Sequence, residues 1–239
     1  MKLQIATLTL ATGSTLANFA QMAKDFKDGA DALASLRSAS GESKAITAND
    51  MALVNEYGCW CYFQNDHSKA KGQPTDGIDQ ICKVLHDGYK CAMMDAADMG
   101  DNTCVPWEIN YDSATGAGLA INMDITTIRT ECDTQNPVIG CANWACKIEG
   151  YFVQSLLFYF VQGGLLDSTK NHSNGFDPVS MCPTQTGIAS ERECCDEHPI
   201  RFPFKTYGND RQCCVDRTYD ATVYQCCNDG SLAIGVCSP

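Results

Sequence analysis

His86 and Asp87 stand side by side in a segment of helical periodicity, and Glu149 interrupts an otherwise apolar helical face further along the chain. Residues of these types can cleave an ester: a histidine activates water, a carboxylate orients the imidazole, and a second carboxylate holds a metal that polarises the carbonyl. In that chemistry His86 is the base, Glu149 its orienting partner and Asp87 a calcium ligand. The structural alternative makes His86 and Glu149 a buried ion pair that holds two helices together. No serine sits in a nucleophile elbow, and the sequence has neither a His-Glu-x-x-His run nor a glycine-rich phosphate loop.

Two helices must position these groups. The first starts near Asp76, whose carboxylate suits a helix N-terminus, and carries the stripe Ile78, Cys82, Leu85, Tyr89 and Met93. On an ideal wheel centred on that stripe, His86 lies about 60° to one side and Asp87 almost opposite. Asp87 is therefore expected in solvent, a poor place for an internal calcium ligand. The second helix, from Ala142 to Val161, carries Ala145, Glu149, Phe152, Leu156 and Phe160 on one face, with Glu149 its odd member. The stretch from Met99 to Gly140 reads as turn-rich, stapled by Cys104, Cys132 and Cys141. Asp95, Asp98 and Asp101 read as a solvated helix end, with weak calcium binding as the alternative. His67, His172 and His198 fall in polar loops and are expected to do nothing specific.

The segments Tyr57–Phe63 (YGCWCYF) and Gly72–Cys91 (GQPTDGIDQICKVLHDGYKC) resemble the secreted phospholipases A2. Tyr57, Gly58, Cys59 and Cys61 match the opening of that family's calcium loop, and Pro74, Asp76 and Asp79 match its helix start. A gapless count from Pro74 puts Cys82 and Tyr89 on the family's cysteine and tyrosine. The same count puts Leu85 at the catalytic histidine and His86 at the calcium-binding aspartate, while Ile81 and Gly88 replace two cysteines. Tyr62, Phe63 and Gln64 stand where the family has the glycines that let carbonyls close on calcium. The resemblance covers roughly Ala45 to Asp167. It implies secretion and a core of two long antiparallel, disulfide-linked helices, and the altered site implies that no ester is hydrolysed.

Sixteen cysteines among 239 residues dominate the composition, and the net charge is −12. Lys2 precedes an apolar stretch from Leu3 to Leu16, and small residues at Thr15 and Ala17 suit a leader at 1–17, cut after Ala17 or Ala20. Secretion makes disulfides the expected use of the thiols, ahead of a zinc set built from Cys59, Cys61, Cys82 and Cys91. Residues 18–44, with Phe19, Met22, Phe26, Ala30, Leu33 and Leu36 at helical spacing, read as an amphipathic propeptide or an arm for another subunit. Gly41–Ser43 reads as the linker to the domain at 45–173. The acidity excludes a nucleic-acid binder or a protein docked on anionic lipid, and no transmembrane run is expected. Calcium, mineral surfaces and basic proteins are the compatible partners.

The module at 174–239 is of different material. It holds Cys182, Cys194, Cys195, Cys213, Cys214, Cys226, Cys227 and Cys237, three adjacent pairs among them. Disulfide geometry makes neighbours poor partners for each other, so each pair is expected to clamp two different segments. The stretch from Cys213 to Ser231, with Tyr219 between the pairs and Gly230 after the second, resembles the repeats of galaxins, matrix proteins of coral skeletons. Cys194 to Cys214, with Tyr207, reads as a longer copy. All sixteen cysteines are expected to be oxidised, including Cys91, Cys132, Cys141 and Cys146 of the helical part, with no bridge between the two modules. Asn171-His172-Ser173 is a glycosylation acceptor. The reading is a mainly α phospholipase A2-like domain followed by a small disulfide-rich β or loop module. Its expected role is structural, in an extracellular matrix, coat or filament, with other matrix proteins or its own copies as partners and no cofactor. Calcium-dependent phospholipid hydrolysis is the alternative.

Overall fold

The computed structural model describes residues 17–38, 48–63, 67–113, 124–184 and 191–237. Residues 1–16 of the expected leader, the expected linker Gly41–Ser43, Gln64 and the side chain of Leu36 lie outside the described residues.

The first long helix forms where the sequence places it. Asp76 accepts from the Asp79 amide at 3.0 Å and so caps α3, Gly77–Asp98. The stripe Ile78, Cys82, Leu85 and Tyr89 is buried along it. That stripe faces the second long helix, α5, Cys141–Val161, whose Ala145, Glu149, Phe152 and Leu156 are all buried. The two run antiparallel, with Gly77 against Tyr159 at one end and Gly88 against Ile148 further along. At Gly88 the approach is close: a Cβ there would stand 3.1 Å from Ile148.

Three further helices complete the helical part. In α1, Ala17–Ser38, the buried residues Met22, Phe26 and Ala30 recur every fourth position and pack on α5, with Phe26 edge-on to Phe160. Phe19 of the same helix stacks on Phe63, which in turn meets Phe152. The expected arm for another subunit thus lies in the core of its own chain. Beside it, α2, Ala48–Val54, buries Met51 and Val54. Within the stretch read as turns lies α4, Ile125–Gln135, tied to α5 through Cys132–Cys146. No helix among the described residues is long and apolar enough to cross a membrane.

The loop of Tyr57–Phe63 is folded around one carboxylate. Asp79, fully buried on α3, accepts from the amides of Cys59, Trp60 and Thr75 at 2.7–2.8 Å. Gly58 makes the turn possible, with φ +60° and the Asp79 carboxylate 2.5 Å from where a Cβ would lie. Gly58→Ala is therefore expected to destabilise the protein by about 2 kcal/mol or more, from left-handed strain plus displacement of Asp79. Denaturant unfolding reads this directly, and an unchanged midpoint would refute it.

After α6, Pro178–Met181, three antiparallel hairpins follow in series: β1 (Arg192–Cys195) with β2 (Phe202–Lys205), β3 (Arg211–Cys214) with β4 (Arg217–Asp220), and β5 (Tyr224–Cys226) with β6 (Leu232–Ile234). Successive residues of a strand point to opposite faces, and Cys194-Cys195 on β1 and Cys213-Cys214 on β3 use this to bridge two ways, as Cys226-Cys227 does at the end of β5. Cys194 joins Cys91 while Cys195 joins Cys213; Cys214 joins Cys226; Cys227 joins Cys237. The result is a relay of disulfides running from α3 through all three hairpins.

All sixteen cysteines are bonded, but two expectations about them are corrected. Cys59–Cys182 and Cys91–Cys194 cross from the helical part into the C-terminal part. The hairpins are too small to bury a core of their own; the first, β1–β2, docks on α3, and the other two are linked to it in series by disulfides. Nor does any bridge join α3 to α5 directly: Cys82 pairs with Cys61, and Cys141 pairs with Cys104 in the turn after α3. The helices are held by packing, with bridges at their flanks.

Candidate functional site

The three residues with chemical promise are close along the fold yet separately employed. His86 is only 3 % exposed. Its ring lies against the backbone of Tyr62 and Trp60, and Nε2 has no partner among the described residues. Burial, reinforced by His67 and Lys90 nearby, pushes its pKa down to about 3. It stays neutral at ordinary pH and is a weak base.

Asp87 is not in solvent as the helical wheel predicts. It is 7 % exposed, held by Lys83 one turn before it and by Lys90 at 3.6 Å. Both ammoniums also lie over the Trp60 ring, at 5.2 and 4.8 Å from its centroid. A wheel considers one helix alone, whereas here the Tyr57–Phe63 loop lays Trp60 across the outer face of α3. Two cations therefore occupy the place assigned to calcium. Among the described residues no group of three or more His, Cys, Asp or Glu gathers as a metal would need.

Glu149 does not reach His86 as a partner, in either the catalytic or the ion-pair reading. Its carboxylate accepts from Tyr89 Oη at 2.7 Å, from Asn18 Nδ2 at 2.9 Å and from Tyr111 Oη. Desolvation, partly offset by those donors, lifts its pKa to about 7. Burial and the adjacent Glu149 likewise raise both phenols well above their ordinary range. Asp25 lies in the same region, bonded to Gln21 and Ser113, and burial raises it to about 6. This cage joins α1, α3, α5 and the Tyr111 strand of chain around one buried carboxyl.

The acidic trio after the first helix is dispersed. Asp95 takes a two-pronged bond from Arg201 at 2.9 and 3.0 Å and a third from His198 at 3.0 Å. Burial works against its charge, but these partners together hold it below the usual carboxylate range. Asp98 is exposed, and Asp101 caps Thr103. The loop histidines also have work to do. His198 is buried and stacked on Trp144, His172 bonds the Gly58 carbonyl at 2.8 Å, and His67 stacks on Trp107 at 4.5 Å. Asn171, the expected glycosylation acceptor, is half-buried, and its Nδ2 donates to the carbonyls of Leu53 and Asn55.

Beside His86 a cavity of about 320 Å³ opens between the outer face of α3 and the 3₁₀ turn His67–Lys69. His67, Ser68, Tyr89, Lys90, Met93 and Trp107 complete its wall. Sequence reasoning missed Trp107, Tyr111 and Asn18, which reach their places only through the tertiary fold. Lys83 and Lys90 were findable, since positions i−4 and i+3 from Asp87 share its helical face. Set against protein-family models, curated proteins and solved structures, the chain matches none.

Proposed function

We propose that this chain is a secreted structural or interaction protein of an extracellular matrix or coat, in which a non-catalytic phospholipase A2-like helical core anchors a galaxin-like cysteine module. The observation that carries the reading is the unbroken disulfide relay from Cys91 on α3 to Cys237. Such a relay spends sequence on mechanical continuity, and the compartment it needs is oxidising. The separate employment of His86, Asp87 and Glu149 argues in the same direction. The net charge of −12 suits partners that are basic, or calcium-rich surfaces. Other matrix proteins and further copies of this chain are the partners proposed.

Calcium-dependent phospholipid hydrolysis is the second reading, favoured by one observation: His86 Nε2 is unpartnered and the residue lines a cavity. A general base works best with a pKa near the operating pH and contributes about 10²–10⁴-fold. An imidazole at about 3 falls far below that range. Phospholipid turnover measured with calcium is therefore expected to be negligible, and equal for the native protein and His86→Gln. Calcium-dependent turnover that disappears in His86→Gln would overturn the non-catalytic reading.

A further inference from the structure

Every disulfide of this chain lies at or beyond Cys59, the first cysteine. The long helix α1 stands upstream of it and is joined to the rest only through residues 39–47. The groove that α1 fills is by contrast fixed covalently. Cys61–Cys82, Cys104–Cys141 and Cys132–Cys146 tie together the segments that form its walls without passing through α1. Helix and groove are separable parts, one tethered and one locked.

The groove is also selective for the helix it holds. Asn18 Nδ2 donates to the Glu149 carboxylate and to the Pro106 carbonyl, both at 2.9 Å. Asp25, two turns on, accepts from Ser113 Oγ at 3.3 Å. Both residues are only 4 % exposed, so a helix without them would leave buried polar atoms unpaired. The next residue after each is aromatic: Phe19 stacks on Phe63, and Phe26 meets Phe160 edge-on. An amide and a carboxyl seven positions apart, each followed by an aromatic ring, occur once in the sequence. A second copy of this chain carries the same pattern, which a partner of other sequence would have to reproduce.

We propose that α1 is exchanged between copies of this chain, so that in a dimer each copy's α1 seats in the other's groove and makes there the contacts that it makes in the single chain. Exchange of an identical element needs no new interface. The tether sets when it occurs. A short linker supplies α1 to its own groove at an effective concentration on the order of 1 mM, so dilute chains close on themselves and crowded ones exchange. The inference rests on the reading of this chain as one that assembles with its own copies, and it names the part that joins them.

The test uses the full chain, disulfides intact, with a thrombin site inserted after Gly41. Light scattering should show monomers at about 10 µM and dimers as the concentration passes about 1 mM. Thrombin should then return the dimers to particles of monomer mass that still hold the α1 fragment, because the cut bonds are the links between the two halves of an exchanged pair. In a second variant residues 39–47 become a run of Ala, Glu and Lys. That run continues the helix and keeps α1 from lying back against α2, as it does in the closed chain. This variant should be dimeric already at about 10 µM, a threshold lowered by about a hundredfold, and adding Phe26→Asp should make it monomeric. Should the helical variant fail to fold, the thrombin experiment decides. Monomers at every concentration, or a helical variant that stays folded and monomeric, would overturn exchange. A dimer that survives thrombin or Phe26→Asp would overturn it as well, while leaving self-association through another face in place.

Discussion

Serine at Cys59, Cys182, Cys91 and Cys194 together is expected to cost about 7 kcal/mol, comparable to the whole stability of an ordinary domain. The two bridges should also be non-additive. In the unfolded chain Cys59–Cys182 spans a sequence separation of 123, but the other bridges shorten the path between its ends. Through Cys61–Cys82 and Cys91–Cys194 the effective loop is on the order of 25 residues, for which chain entropy predicts about 3 kcal/mol. Cys91–Cys194 benefits equally while Cys59–Cys182 is intact. Once either is gone, the shortest path around the other grows to on the order of 65 residues, through Cys104–Cys141, so the second removal costs about 1 kcal/mol more than the first. Urea unfolding of the two double-serine variants and the quadruple variant measures all three numbers. Simple additivity, or single-bridge costs below about 1 kcal/mol, would show that these crossings are incidental to stability.

That the crossings exist was not legible in the sequence, and the reason is physical. Cysteine spacing shows which residues are crowded, but connectivity follows from docking, and the first hairpin docks on α3 through Asp95, Arg201 and His198. The two long helices were legible because their stripes repeat a helical period and Asp76 supplies a cap. By contrast α4 was hidden by its composition. Its ITTIRTECDTQ has a β-branched residue at six of eleven positions, a poor helix former. Tertiary contacts supply what propensity does not: Ile128 and Cys132 are fully buried, Cys132 is bridged to Cys146, and the Asp124 side chain accepts from Thr126. Thr130 and Thr134 return their hydroxyls to carbonyls one turn back, which lets threonine sit mid-helix. For the site the sequence identified the right residues but not their partners. Glu149 was recognisable as a misfit on an apolar face, yet its donors Asn18 and Tyr111 come from distant segments with no local signal.

Glu149 should also set how stability responds to pH. Its folded pKa of about 7 lies above its ordinary value of 4.5, so between these the folded state binds more protons than the unfolded one. Stability from this group is therefore fully present below about 4.5 and is lost as pH rises through about 7. The loss is on the order of 3 kcal/mol. Asp25, raised from 3.8 to about 6, acts with the same sign in a lower window. His86 acts against both: a base lowered from 6.5 to about 3 loses stability as pH falls through that interval. Because two falling contributions overlap one rising one, the raw profile of the native protein would still fall with pH between about 4.5 and 6 without isolating any single group, and the informative quantity is a difference. Glu149→Gln keeps an acceptor for Tyr89 and Asn18 but cannot ionise. It should match the native protein near pH 4.5 and become the more stable of the two as pH rises past about 7. Glu149→Ala should be worse than both at every pH, since it leaves the Tyr89 and Tyr111 hydroxyls as buried donors without their acceptor, at about 1–3 kcal/mol each, while Asn18 keeps only the Pro106 carbonyl. A difference between native and Glu149→Gln that does not change from pH 4 to 9 would mean that Glu149 titrates normally, and the buried cage would lose its role as the chain's alkaline weak point.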